Sequence, residues 1–399
     1  MIGTPALVLA FAVSAGPFGS AFYTPPSPLP PATHGDAIWA RAFTGAAALP
    51  DAASNLLVLY HTTALDGRDV ALSATLAIPR GTPPAGGWRI VSWTHGTTGI
   101  GGACAPSRDS VGGPAHGYLA ENEAELDALV RHGDVVVQTD YEGLGGPGPH
   151  PYLIGEAEAR DAIDAVRAAR QVDPTIGSRY VVAGHSQGGQ AALFVGALAA
   201  SWAPELTLLG DAALAPASHV LPYVQSLTNS RTPTLGFAFI PYIVEGVAAV
   251  DPAVRPDAIF APAAVALLPQ AQTACIDQLR APGSWGSLVP ADAFRSGADL
   301  GPLEVDLAAN DPGTLRIRVP TLIAQGAADT VVAPIASDLL VRQLCANAVP
   351  LLYTTYPNAT HRGLLTASLA DLERWIDARF DGSLVPTNCD DPPRAAPSS

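Results

Sequence analysis

The chain alternates between two spacings of apolar residues. WRIVSW (88–93), DVVVQTD (134–140), RYVVAG (179–184), LTLLGDAALA (206–215), VPTLIAQG (319–326) and PLLYTTYP (350–357) are short runs of strand length. ENEAELDALVRHG (121–133), EAEARDAIDAVRAARQV (156–172), QGGQAALFVGALAASW (187–202) and LLTASLADLERWIDARF (364–380) repeat their apolar residues at helical spacing, and Gly133 supplies a helix stop. Strands alternating with helices predict an α/β fold: a mostly parallel sheet with helices on both faces. NLLVLYHTT (55–63) and VALSATLAIP (70–79), on either side of the turn Leu65–Arg68, predict an antiparallel hairpin at one edge.

From about Ser218 to Leu300 this rhythm breaks. The stretch is rich in proline, alanine and bulky apolar residues (LPYVQSL, TLGFAFIPYIVEGVAAV, FAPAAVALLPQ) without strand alternation, and predicts a helical cap over the sheet. The expected organisation is a signal peptide at 1–21, the first part of the core at 22–217, the cap at 218–300, the second part of the core at 301–389 and a disordered tail at 390–399.

At 399 residues, 48% hydrophobic and 14% charged, the chain can bury a large core. The net charge is −15 and no basic cluster occurs, which argues against nucleic acid as a partner. All 21 cationic side chains are arginine. Ala6–Val13 is a short apolar run, and Gly19-Ser20-Ala21 offers a small-residue cleavage site. Together they predict secretion, although no Lys or Arg stands near Met1. The four cysteines, Cys104, Cys275, Cys345 and Cys389, form no C-x-x-C pair, which argues against a zinc or dithiol motif. In an exported chain they predict two disulfides, with three connectivities open.

GLGGPG (143–148) fits a dinucleotide-binding fingerprint by letter. That chemistry needs a helix to start at the glycines, and Pro147, Pro149 and Pro151 stand in its way. The stretch is read as a shaped loop. Asn358-Ala359-Thr360 matches a glycosylation acceptor and is read as a chance match, because a glycan there would obstruct the histidine that follows.

Gly184-His185-Ser186-Gln187-Gly188 is G-x-S-x-G between an apolar strand and an apolar helix. A sharp strand-to-helix turn lifts the hydroxyl above the sheet, and the glycines let the chain turn without collision. Serine needs a base, and the base needs orienting. His361, the sole histidine after His219, follows the last strand. Asp329 lies just beyond a strand end, whereas the alternative, Asp338, falls inside the next helical stretch. Ser186, Asp329 and His361 thus occur in the chain order this chemistry uses. The oxyanion donors are expected to be the N–H of Gln187 and, from the glycine-rich loop HGTTG (95–99), that of Thr97, with Gly96 or Thr98 as alternatives.

FYTPP (22–26), HGTTG followed by CAPS (104–107), DYEGLG (140–145), GHSQGG (184–189), AQGAADTVV (324–332) and His361 together resemble the secretory lipase family, over about residues 22 to 389. The resemblance implies an α/β-hydrolase fold with a helical cap and ester hydrolysis through Ser186, Asp329 and His361. It also implies disulfides Cys104–Cys275, from the oxyanion loop to the cap, and Cys345–Cys389, holding the C-terminal segment. HGTTG departs from those family members that carry an acidic side chain near this loop.

The function expected is a secreted, cofactor-free and metal-independent serine ester hydrolase of triacylglycerol lipase type, cleaving esters with apolar acyl chains. Its partner is a small-molecule or lipid ester, met in transient contact with a lipid interface, and no obligate protein partner is expected. The alternatives are a short-chain carboxylesterase and an acyltransferase using the same triad.

Overall fold

The computed structural model describes residues 13–384 and 386–395. Its strands are β1 (Ser14–Ala15), β2 (Ala37–Ala42), β3 (Ser54–Thr63), β4 (Asp69–Ile78), β5 (Trp88–Thr94), β6 (Val135–Thr139), β7 (Ile176–His185), β8 (Thr207–Leu214), β9 (Thr321–Gly326) and β10 (Leu351–Tyr356). They form one sheet in the order β1-β2-β3-β4-β6-β5-β7-β8-β9-β10. From β6 to β10 every neighbouring pair is parallel, while β2, β3, β4 and β6 pair antiparallel.

The parallel part is buried on both faces, and its side chains alternate between two apolar layers. On β5, Val91 and Trp93 pack toward one layer and Ile90 toward the other. The first layer is completed by α1 (His116–His132) and the closing helix Gly363–Phe380, through Leu126, Leu129, Leu372 and Ile376. The second is completed by α2 (Gly155–Val172) and α3 (Gln187–Trp202), whose small residues Ala159, Ala162 and Ala192 bring the helices close to the strands. Gly133 ends α1 in a left-handed conformation (φ 104°), its N–H donating to the carbonyls of Leu129 and Val130.

One element differs from expectation. The hairpin β3–β4 is not the sheet edge, because β2 pairs outside β3 and β1 outside β2. β2 (AIWARA) is half-buried along most of its length, so it lacks the apolar run of a central strand. Within the stretch expected to be a signal peptide, the run's residues 6–12 lie outside the described residues, whereas Ser14–Ala15 pairs with Trp39 and Ala40. In the tail, Ala395 is buried beside Val349 and Leu351, and its N–H donates to Asp338 Oδ1. The remaining residues of that tail, 396–399, lie outside the described residues.

Between β8 and β9 the chain forms α4 (Val220–Thr228), α5 (Ile240–Ala248), several four-residue helical turns and the helix Gly301–Ala309. These pieces are too short to be stable alone. They are held by their own apolar cluster, in which Phe237, Phe260, Trp285 and Phe294 meet edge-on or tilted with centroids 5.0 to 6.3 Å apart. Leu303 and Leu307, past residue 300, belong to the same cluster. Among the described residues no helix is long and apolar enough to cross a membrane.

Both disulfides have the pairing the family resemblance implies, Cys104–Cys275 and Cys345–Cys389. The first joins the loop after β5 to the capping segment. Beside it, Gly99 pairs with Cys275 and the Ile276 N–H donates to the Thr98 carbonyl at 2.9 Å.

Candidate active site

Ser186 stands at the turn from β7 to α3 with φ 62° and ψ −117°. A residue other than glycine occupies this region only where its surroundings over-determine it. Here the Ser186 N–H donates to the Leu214 carbonyl (2.9 Å), and its own carbonyl accepts from the N–H groups of Ala217 (3.0 Å) and Gln190 (3.1 Å). The neighbouring glycines permit the approach to β5. A Cβ at Gly188 would overlap the Thr94 carbonyl, and one at Gly184 the Thr94 hydroxyl, which itself donates to the Gly188 carbonyl at 2.7 Å.

His361 follows β10 and brings Nε2 to 2.9 Å from Ser186 Oγ. Its Nδ1 lies 2.7 Å from Asp329 Oδ2. A carboxylate can only accept, so Nδ1 carries the proton and Nε2 is free to accept from the serine. Asp329 is locked in turn: its Oδ1 accepts the N–H groups of Val331 (2.7 Å) and Val332 (2.9 Å), and Gln325 Nε2 donates to Oδ2 (3.2 Å). The two loops are stitched together, because the N–H of Ala327 donates to the Tyr356 carbonyl and that of Ala328 to the Ala359 carbonyl. The alternative acid, Asp338, sits within the helix Pro334–Ala346 and accepts from Tyr353 Oη at 2.8 Å.

Of the candidate oxyanion donors, the Gly96 N–H is already committed to Tyr118 Oη at 2.8 Å. The N–H groups of Thr97 and Gln187 have no hydrogen-bond partner among the described residues. Thr97 is held through its side chain, whose Oγ1 is 2.6 Å from Tyr152 Oη. Gln187 is held by Glu158, whose Oε1 accepts from Gln187 Nε2 at 2.7 Å and from the Leu153 N–H at 3.0 Å. Burial pushes the Glu158 carboxyl up to about 8. His150 completes the cluster, its Nε2 accepting from Gln187 Nε2 at 3.1 Å while Nδ1 donates to the Glu142 carbonyl at 2.8 Å. Burial pushes His150 down to about 3, which keeps it a neutral acceptor.

The cleft above Ser186 has two arms. One, of about 250 Å³, runs under α4 and α5 and is walled by Tyr152, Val220, Tyr223, Phe239 and Ile243. The other, of about 230 Å³, opens on the His361 side and includes Tyr118, Ile276, Arg280 and Arg362. The GLGGPG loop takes no part in either arm. It turns with Gly143, Gly145 and Gly148 at positive φ, and the helix that follows it starts only at Gly155. Among the described residues no group of three or more His, Cys, Asp or Glu side chains is arranged to hold a metal ion.

Tyr118, His185, Glu158 and Arg280 go unmarked in the sequence reading. Tyr118 and Glu158 merge with helical patterns, and His185 is the unspecified position of its motif. Arg362 offered a signal, since it directly follows His361 in a chain with few cations.

A parallel sheet with a strand–serine–helix turn at its centre, and acid and histidine on the loops after later strands, defines an α/β-hydrolase. A family model for secretory lipases matches residues 119–388, and the chain belongs to the secretory lipase family. It is 26% identical to Lipase A of Moesziomyces aphidis over 199 residues, 49% of this chain and 42% of that protein. The matched stretch thus spans less than half of that relative's length. Among solved structures, Candida antarctica lipase A in its closed state is similar with a TM-score of 0.77 and 20% identity, over 92% of this chain and 88% of that one. The rice cell wall degrading esterase LipA from Xanthomonas oryzae is similar with a TM-score of 0.71 and 19% identity, over 88% and 100%. At these identities the likeness to the solved structures is one of fold.

Proposed function

We propose that this protein is a secreted carboxylic ester hydrolase of triacylglycerol lipase type, working through an acyl-enzyme on Ser186. The observation that carries the reading is the row Asp329–His361–Ser186, with hydrogen-bonding distances of 2.7 and 2.9 Å, at the floor of a cleft with one apolar arm. Ser186 Oγ attacks the ester carbonyl as its proton passes to His361 Nε2. Asp329 holds the imidazole in the accepting tautomer and stabilises its charged form. The N–H groups of Thr97 and Gln187 receive the developing oxyanion. Collapse of the tetrahedral species expels the alcohol, which takes the proton from His361. Water then attacks the acyl-enzyme with His361 as base, the acid leaves, and Ser186 regains its proton. The apolar arm under α4 and α5 takes the acyl chain. Secretion is supported by the family and by the two disulfides, which persist in oxidising compartments.

The test is hydrolysis of p-nitrophenyl esters from acetate to palmitate, and of emulsified triglyceride, by the wild type and by Ser186→Ala. The expected result is turnover of long-chain esters and of the emulsion, and loss of at least about a thousandfold in the variant. Activity confined to short chains makes the protein a carboxylesterase. Full activity in Ser186→Ala sinks the mechanism.

A further inference from the structure

The apolar arm of the cleft accounts for an acyl chain, but the other arm is walled by charge. Arg280 lies on a helical turn just after Cys275, and Arg362 directly follows His361. Both reach toward the same carboxylate. Arg362 Nη2 is 3.2 and 3.3 Å from the two oxygens of Asp277, while Arg280 Nη1 stands 3.6 Å from Asp277 Oδ1. Two guanidinium groups thus share one counter-charge, leaving one net positive charge in this arm.

Arg280 is the unusual member. Its side chain is only 23% exposed and is laid over the Phe239 ring at 4.9 Å. Its Nε is buried with no hydrogen-bond partner, and among the described residues no hydrogen bond involves its guanidinium. A desolvated guanidinium normally finds oxygen acceptors, because leaving its donors unmet is costly. Here burial acts against its charge and lowers its pKa, with Asp277 compensating only in part.

The proton route says which part of the substrate meets this arm. In the proposed reaction His361 must protonate the leaving alcohol, so that oxygen departs on the His361 side, where Arg280 and Arg362 stand. We propose that Arg280, assisted by Arg362, is an anion-binding subsite for the leaving group, and that the esters this enzyme favours carry a carboxylate on the alcohol they release. A carboxylate offers the planar pair of acceptors a guanidinium fork takes best. This inference rests on the ester hydrolase reading above and refines its substrate class.

The test uses two isosteric esters, the butanoates of meta-hydroxybenzoate and of meta-hydroxybenzamide, which differ in leaving-group charge. With wild-type enzyme at neutral pH and low salt, kcat/KM is expected to favour the anionic ester by about tenfold, as one partly desolvated ion pair would give. Added salt shrinks the ratio. Arg280→Gln brings it to about one, and Asp277→Asn raises it by removing the competing carboxylate. A wild-type ratio at or below one, or a ratio unchanged in Arg280→Gln, overturns the subsite while leaving the hydrolase reading intact. So does a pair with the charge moved to the acyl chain, if that pair shows the stronger preference. An enzyme that cleaves p-nitrophenyl esters but neither of these two esters overturns the subsite alone, whereas failure on p-nitrophenyl esters of every chain length, or cleavage that survives Ser186→Ala, removes both readings together.

Discussion

His185 donates through Nε2 to the main-chain carbonyl of His361 at 3.0 Å. A carbonyl can only accept, so this bond fixes the His185 tautomer and makes Nδ1 the acceptor for Tyr118 Oη, 3.0 Å away. Tyr118 Oη in turn accepts the Gly96 N–H. The loop that presents Thr97 and the residue proposed as base are therefore linked by one directional row of hydrogen bonds. Burial holds His185 well below the usual histidine range, so it stays neutral and the row keeps its sense.

Tyr118→Phe cuts this row at both of the hydroxyl's bonds while keeping the ring. With two buried hydrogen bonds lost near the reacting atoms, kcat on a p-nitrophenyl ester is expected to fall by about tenfold with KM changed little. Steady-state kinetics separates this from a merely structural role. Unchanged kcat means that the row does not position His361 or Thr97.

Two glycines with different reasons should respond differently to alanine. Gly133 has open space around its Cβ position but φ 104°, so Gly133→Ala should cost about 1 kcal/mol of unfolding free energy. At Gly188 the new Cβ would overlap the Thr94 carbonyl, which is backbone and cannot swing away. Gly188→Ala should cost about 3 kcal/mol or more, or prevent folding, as overpacked cores do. Denaturant titration of both variants makes the comparison.

The disulfides differ in the loop they close. Cys104–Cys275 spans 171 residues and Cys345–Cys389 spans 44. Chain-entropy reasoning gives ceilings of about 5 and about 4 kcal/mol respectively. The double Cys→Ser variant at Cys104 and Cys275 is therefore expected to lose more stability, and also to lose ester turnover, because it releases the loop bearing Thr97. Equal losses of stability with undiminished turnover would contradict this.

Stability should fall between about pH 6.5 and 8. Burial pushes Glu123, Glu125 and Glu158 each up to about 8, and Asp161 and Asp211 well above the carboxylate range. In this window the folded chain keeps protons that the unfolded chain has released, so raising the pH favours unfolding. His95, pushed down by burial to about 4, and His150 and His185, also depressed, act oppositely. Their destabilisation begins only as the pH drops below about 6.5, where the unfolded histidines take up protons. Thermal melts from pH 5 to 9 check the profile. Asp211→Asn should flatten its alkaline side, since neither carboxyl oxygen of Asp211 has a partner.

The parallel strands, the four long helices, the turn at Ser186 and the loops of Asp329 and His361 were legible because each carries its own local pattern. β2 was not, because a half-buried strand beside the sheet edge shows neither a clean apolar run nor a clean alternation. The support around the site was also hidden. Tyr118 and Glu158 look like ordinary positions of amphipathic helices, and what singles them out is a partner 67 and 29 residues away. The capping helices gave little signal because they are short and their order comes from packing against one another.

The cleft's two sides are attached to the core by different means. The segment with Cys275 and Arg280 is bound to the Thr98–Cys104 loop by a covalent bond and main-chain pairing, so the proposed leaving-group subsite and the proposed oxyanion donor Thr97 share one rigid mount. α4 and α5 are held over the other arm chiefly by interchangeable apolar packing. On the proposed reading such a division makes the protein modular toward its substrates: exchanging residues such as Val220 and Ile243 would retune the acyl group accepted, while the groups proposed to cleave the ester and select the alcohol stay in register.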